Sequence, residues 1–249
     1  MPQQQGENMN ILTLAREAAA VVSTDQPDTL FDKHNAQSQL FLSLLNDSLE
    51  SLKRFGDWQQ LQKEASFFIL ESCYVYPLEE IAPDFFSLVP DTIFIKDSKE
   101  KVIGSISAEE FMKSKVFKTS SGDVEFYLKG NAFCFTSLPK VGARIVFHYR
   151  TNNLVKEENQ VNGEWVYKPY PTKDTDIALF DPYLIKLSLI WRWYKRNSFA
   201  YNEEFQEYLT EVKKAFAEGI CLKNISLTGK GDNIIFGGPN VCYVHKKND

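Results

Sequence analysis

Apolar residues recur at Tyr183, Leu187, Ile190, Trp191 and Tyr194, a spacing that lays one broad stripe along a helix. Asp181 is placed to cap that helix and Pro182 to occupy its first position, where a missing N–H costs nothing and the fixed φ already suits the helix. Ile185, Leu189 and Trp193 form a second apolar stripe, so the helix is expected to be covered on two sides, either by its own domain or by another copy of the protein. A second arm repeats the pattern at Phe205, Tyr208, Leu209, Val212 and Phe216. Glu203, Glu204 and Glu207 stand early in it and Lys213 and Lys214 late, as the helix dipole favours, and Gly219 is its expected stop. Nearer the N-terminus, residues 1 to 9 are expected to be disordered. Ile11, Leu14, Ala18 and Val21 or Val22 then predict a short helix, which the stretch from Asp25 to Asp32 breaks. Phe41, Leu44, Leu45 and Leu52 predict a longer helix from about Asn35 to Arg54, ending before Gly56. Trp58 follows at once and reads as a core anchor where the chain leaves that helix.

The periodicity changes after Lys63. ASFFILESCYVYPL, FSLVPDTIFIKD, EKVIGSIS, GDVEFYLKGNAFCFTSL and GARIVFHYRTNN are rich in aromatic and β-branched residues and are divided by turn signals, which predicts strands. Lys129-Gly130-Asn131 is a hairpin turn, and Pro139 to Gly142 joins the next pair. One short helix interrupts the strands at SAEEFMKS, with Ser107 and Glu110 forming a capping box. The fold class is therefore α+β: a helical bundle core from 1–65 and 172–219, an antiparallel β domain inserted at 66–171, and an extended C-terminal arm over 220–249. The arm contains Ile234, Ile235, Phe236, Val241 and Tyr243 broken by Gly237, Gly238 and Pro239. That composition forbids a helix and cannot form a core alone. It points to burial against a partner's sheet edge, or to a strand closing the chain's own β domain.

Composition narrows the chemistry. With 249 residues the chain can bury a substantial core without staples, and Cys73, Cys134, Cys221 and Cys242 are scattered without a CxxC pair, which reads as structural thiols in a reducing compartment. His34, His148 and His245 have no second ligand type at metal-binding spacing. The first ten residues lack the basic and apolar regions of a signal peptide, and no apolar run reaches the roughly 18 residues of a membrane span. A net charge of −5 argues against gripping nucleic acid through its phosphates. Glu79 with Glu80, Glu109 with Glu110, and Glu203 with Glu204 are adjacent acids, which diverge rather than converge on one bond and read as solvated faces. No nucleotide-binding glycine pattern, GxSxG elbow, HExxH or catalytic Cys/His spacing occurs, so neither a catalytic residue nor a cofactor is assigned.

Several phrases in one order carry a resemblance: DWQQLQKEASF at 57–67, DFFSLVPDTIF at 84–94, GSISAEEF at 104–111, LKGNAFCFTSLPKVGARIVFHYRTNNLV at 128–155, and KDTDIALFDPYLIKLSLIWRWYKRNSFAYNEEFQEY at 173–208. The chain resembles the head-to-tail adaptor proteins of short-tailed bacteriophages, most tellingly at WRW followed by YNEEFQEY. It departs from them at Ser198 and Ala200, where related sequences often carry Gly and Asp, and Asn202 is expected to take over the lost cap. The resemblance implies a structural virion protein at the head-tail interface, assembled in the host cytoplasm. It implies a twelvefold ring of copies beneath the portal, a tail nozzle or tube docked below, and a lumen through which double-stranded DNA passes without sequence-specific binding. An acidic or neutral wall would let the duplex slide. Within that picture Leu189, Trp193, Ile234, Phe236, Val241 and Tyr243 are candidate subunit or portal contacts, and Lys156, Asn159, Asn162 and Trp165 belong to a candidate tail-facing loop. The alternative for that loop is a merely flexible segment. The alternative for the whole chain is a neck-associated peptidoglycan hydrolase; a receptor-binding tail protein fits less well, because the core begins and ends with helices.

Overall fold

The computed structural model describes residues 9–96, 102–117, 124–159 and 163–223. The chain is a mixed α+β fold with antiparallel sheets. Helix α1 (Ile11–Val21) starts at Asn10, whose side chain accepts from the Thr13 N–H. Helix α2 (Ala36–Phe55) starts at Asn35, which accepts from the N–H groups of Gln37 and Ser38. Helix α5 (Pro182–Arg196) has Pro182 in its first turn and Asp181 accepting from Tyr183 at 2.8 Å. Each cap satisfies N–H groups that a helix start leaves without an intrahelical acceptor.

Helix α5 packs against α1, α2 and α6 (Asn202–Lys223). Ile185 and Leu189 from one stripe and Leu187, Ile190 and Trp191 from the other are all buried, so this chain itself covers both sides of the helix. Tyr183 departs from its stripe: it is exposed, and its hydroxyl donates to Glu207 on α6. Trp58 is buried as expected, its indole N–H donating to the Leu52 carbonyl at 2.6 Å where α2 ends. Met9 packs on this apolar cluster, so the predicted disorder does not extend to it; residues 1–8 lie outside the described residues.

The strands form three sheets. In the first, β7 (Arg144–Thr151) pairs with β1 (Gln62–Phe68) on one side and with β3 (Phe85–Leu88) and β4 (Phe94–Ile95) on the other. In the second, β6 (Ala132–Phe135) lies between β2 (Val75–Pro77) and β5 (Phe126–Lys129), the hairpin to β5 turning at Gly130 with φ +59°. Two short helices, α3 (Leu78–Ile81) and α4 (Ala108–Phe117), accompany these sheets. At α4 the capping box is present: Glu110 N–H donates to the Ser107 hydroxyl and Ser107 N–H to the Glu110 carboxylate. The inner faces share a second apolar cluster, in which Phe67, Tyr76, Phe126, Phe133, Phe135 and Phe147 meet ring to ring, Phe133 edge-on to Phe147 at 5.1 Å.

Several points differ from the sequence reading. Strand β1 begins at Gln62 rather than Ala65, because polar Gln62, Lys63 and Glu64 still join the ladder opposite Arg150, Tyr149 and His148. Pro139 to Gly142 does not join two paired strands, since β6 and β7 belong to different sheets. The third sheet, β10–β8–β9 (Ile177–Ala178, Val155–Glu158, Trp165–Lys168), belongs with the helices: Leu154, Val155 and Phe180 enter the helical cluster, and Ile177 bridges to Asn10. The β cluster thus closes near Thr151, not Pro171. Helix α6 runs through Gly219 to Lys223, because glycine stops a helix only when its backbone leaves helical space; inside one it costs about 1 kcal/mol relative to alanine. Phe205 N–H bonds to the Tyr201 carbonyl, so Asn202 is the first helical residue rather than the cap.

Candidate interaction surface

The β8–β9 hairpin carries aromatic side chains outward. In the register Lys156 opposite Tyr167 and Glu158 opposite Trp165, these four share one face, while Val155 on the other face is buried. Trp165, Val166, Tyr167 and nearby Tyr170 are all exposed, and β9 forms the edge of its sheet. An edge with exposed aromatic side chains offers both main-chain groups and apolar area to another chain.

The hairpin's base is tied down on every side. Lys168 pairs with Glu157 at 3.0 Å and with the wholly buried Asp176 at 2.6 Å, and Lys173 also pairs with Glu157. Asp176 further accepts from the backbone N–H groups of Thr172 and Lys173. The bonds from Lys173 and Lys168 hold the Glu157 carboxyl below its usual range. Lys156 Nζ sits 4.2 Å from the Trp165 ring centre and Lys63 Nζ 5.1 Å from that of Tyr167, so a cation covers each ring. Tyr170 donates to Glu50 on α2 at 2.9 Å.

Between the helical and β clusters lies a polar seam. Asp84 accepts from Lys63, Tyr149 and Thr151 at 2.6 Å each and from Asn153 at 3.1 Å. Burial alone would raise its carboxyl, but the bonds from Lys63, Thr151 and Tyr149 outweigh that and leave it below the usual range. Tyr149 is pushed up by burial and by the Asp84 carboxylate. Lys53, only 3% exposed, reaches from α2 to Asn152 at 2.8 Å and lies over the Phe86 ring. Arg150 binds Asp57, the Gly56 carbonyl and Ser87.

The candidate contacts separate on this framework. Lys156 and Trp165 come together, and Asn159 closes the turn, donating to Glu164 and accepting from Gly163 at 2.8 Å each. Asn162 lies outside the described residues, as do Ile234, Phe236, Val241, Tyr243 and the rest of the arm beyond Lys223. Leu189 is corrected: it is fully buried among the helices of its own chain and presents no surface to a partner. Trp193 is half-buried, stacked on exposed Phe199 with ring centres 5.8 Å apart. Sequence reasoning missed Tyr167 and Tyr170. The available signal was WVYKPY, where every β9 residue stays at least partly exposed and the usual buried–exposed alternation is lost.

Two of these acids make local contacts, Glu109 pairing with Lys113 and Glu110 capping α4. Among the described residues no group of three or more His, Cys, Asp and Glu is placed to hold a metal ion, and no helix is long and apolar enough to cross a membrane. No protein-family model matches the chain, and no curated protein matches it.

Proposed function

We propose that this chain is a structural adaptor of a short-tailed bacteriophage, assembling as a twelvefold ring between the portal and the tail and enclosing a channel for the DNA. The ordered series of phrases that resembles such adaptors supports this reading. The observation that carries it furthest is the anchored β8–β9 hairpin, whose edge strand presents Trp165, Val166 and Tyr167 outward and so suits a platform for a tail protein. Trp193 stacked on Phe199 would supply a second contact, toward a neighbouring copy or the portal.

Electron microscopy of the purified protein mixed with its portal is expected to show a ring capping the portal. Absence of any complex refutes the reading. Size alone is a poor test, because a partner can template a ring from monomers. Deleting residues 156–163 would remove most of β8 and damage the fold, so the tail contact is better tested by a double Trp165→Ala, Tyr167→Ala variant. That variant is expected to join the portal and to lose tail attachment. Particles of the variant that carry complete tails would sink the assignment of this edge.

A further inference from the structure

The outer face of the β2–β6–β5 sheet is only partly covered. Val75, Cys134 and Tyr127 stand side by side across it, and Pro77, Ala132 and Lys129 form the next row. Helix α4 covers the β5 side, its Phe111 ring lying 5.2 Å from Tyr127. Among the described residues the face toward β2 stays open, and a cleft of about 520 Å³ lies between helix and sheet. Its walls are mostly apolar, with Phe111, Val75, Ala132 and Cys134 among them, and its cations are Lys115 and Lys129. Both lysines are exposed, Lys115 lies over the Phe111 ring at 4.6 Å, and neither has an ion-pair partner among the described residues. Val75 is 51% exposed.

We infer that this cleft receives an extended segment of a partner protein in which a large apolar residue is flanked by Asp or Glu. Charge complementarity supplies the first part of the argument: two exposed ammonium groups beside an apolar trough, without ion-pair partners among the described residues, select against basic segments and favour acidic ones. The open side supplies the second. Small-molecule sites bury most of their ligand, whereas this cleft would leave much of a free amphiphile in water and needs only one inserted side chain from a passing peptide. Pro77 on β2 lacks an N–H, so side-chain insertion and charge, more than strand pairing, carry recognition here. The cleft shares no residue with β9, so segment capture and ring assembly succeed or fail separately.

Selection of a displayed random peptide library on the full chain tests this. Enriched peptides are expected to pair a large apolar residue with neighbouring Asp or Glu, to shift the methyl NMR signals of Val75 and Ala132, and to bind a Lys115→Glu, Lys129→Glu variant at least about tenfold more weakly. Both lysines are exposed, so the variant should fold, which circular dichroism checks; Val75→Asp, altering the apolar wall instead, serves if it does not. Failure to enrich acidic peptides overturns the inference. So does enrichment of peptides that ignore the charge reversal or leave both methyl signals unmoved. Dodecanoate shifting those signals where no peptide does would assign the cleft to a small amphiphile and overturn it equally.

Discussion

Trp191 and Trp193 stand two positions apart on α5, about 200° around the helix, and meet different surroundings. Trp191 lies in the core, edge-on to Phe205 at 4.9 Å, with the Arg192 guanidinium 4.5 Å over its ring and its own N–H without a partner among the described residues. Replacing Trp191 by Ala is expected to cost about 3–5 kcal/mol in denaturant unfolding. Trp191→Phe, which leaves a smaller cavity and also removes that unpartnered N–H, should cost less than Trp191→Ala. Trp193→Ala should cost less stability than Trp191→Ala and leave a folded protein, and we predict that it impairs assembly. Asp84 adds a pH dependence. Its folded pKa lies below its ordinary value of 3.8, so its contribution is fully present above 3.8 and is lost as the pH falls through the lower folded value. The stability gap between the wild type and Asp84→Asn should therefore shrink on acidification below pH 3.8, as chemical denaturation across that range would show; a constant gap refutes the ion-pair account. Capping residues such as Asp181, Ser107 and Glu110 were legible in the sequence because their partners lie within a few positions. Asp84 was not, since its partners come from Lys63 and from Tyr149 to Asn153, and only strand pairing brings them together.

Among the elements, α6 is held to the end of α2 by close approach. A Cβ at Gly56 would sit 2.4 Å from the Phe216 ring, and that ring also packs against Phe55 and Trp58. Gly56→Ala should cost about 1–3 kcal/mol, with the loss of hydrogen-exchange protection greatest in α6. An unaltered α6 would mean that the ring swings clear. The helices were readable because their 3.6-residue stripes survive in sequence. The assignment of β8–β10 to the helical side was not, because one buried pair, Leu154 and Val155, decides it. Gly219 misled for a similar reason: a glycine is a stop only when its surroundings make it one, and here the Gln59 side chain donates to its carbonyl within a continuing helix.

At the scale of the whole molecule, two apolar clusters meet across a seam made of ions and amides rather than of hydrocarbon. Truncation to study the C-terminal segment belongs after Lys223, since a cut after Glu218 would remove the last turn of α6 and the Gln59 contact. If the segment is a docking arm, the truncated protein keeps its melting temperature and fails to join the portal. A marked loss of monomer stability would instead place the segment in this chain's own core.

The burial of Lys53 makes the seam observable. An amine enclosed by Glu50, Asn152 and the Phe86 ring is hidden from acylating reagents while the two clusters stay docked, whereas an exposed amine such as Lys113 remains open to them. Mass-spectrometric footprinting should then find Lys53 unlabelled until the clusters part, so that its labelling rate acts as a clock for their separation.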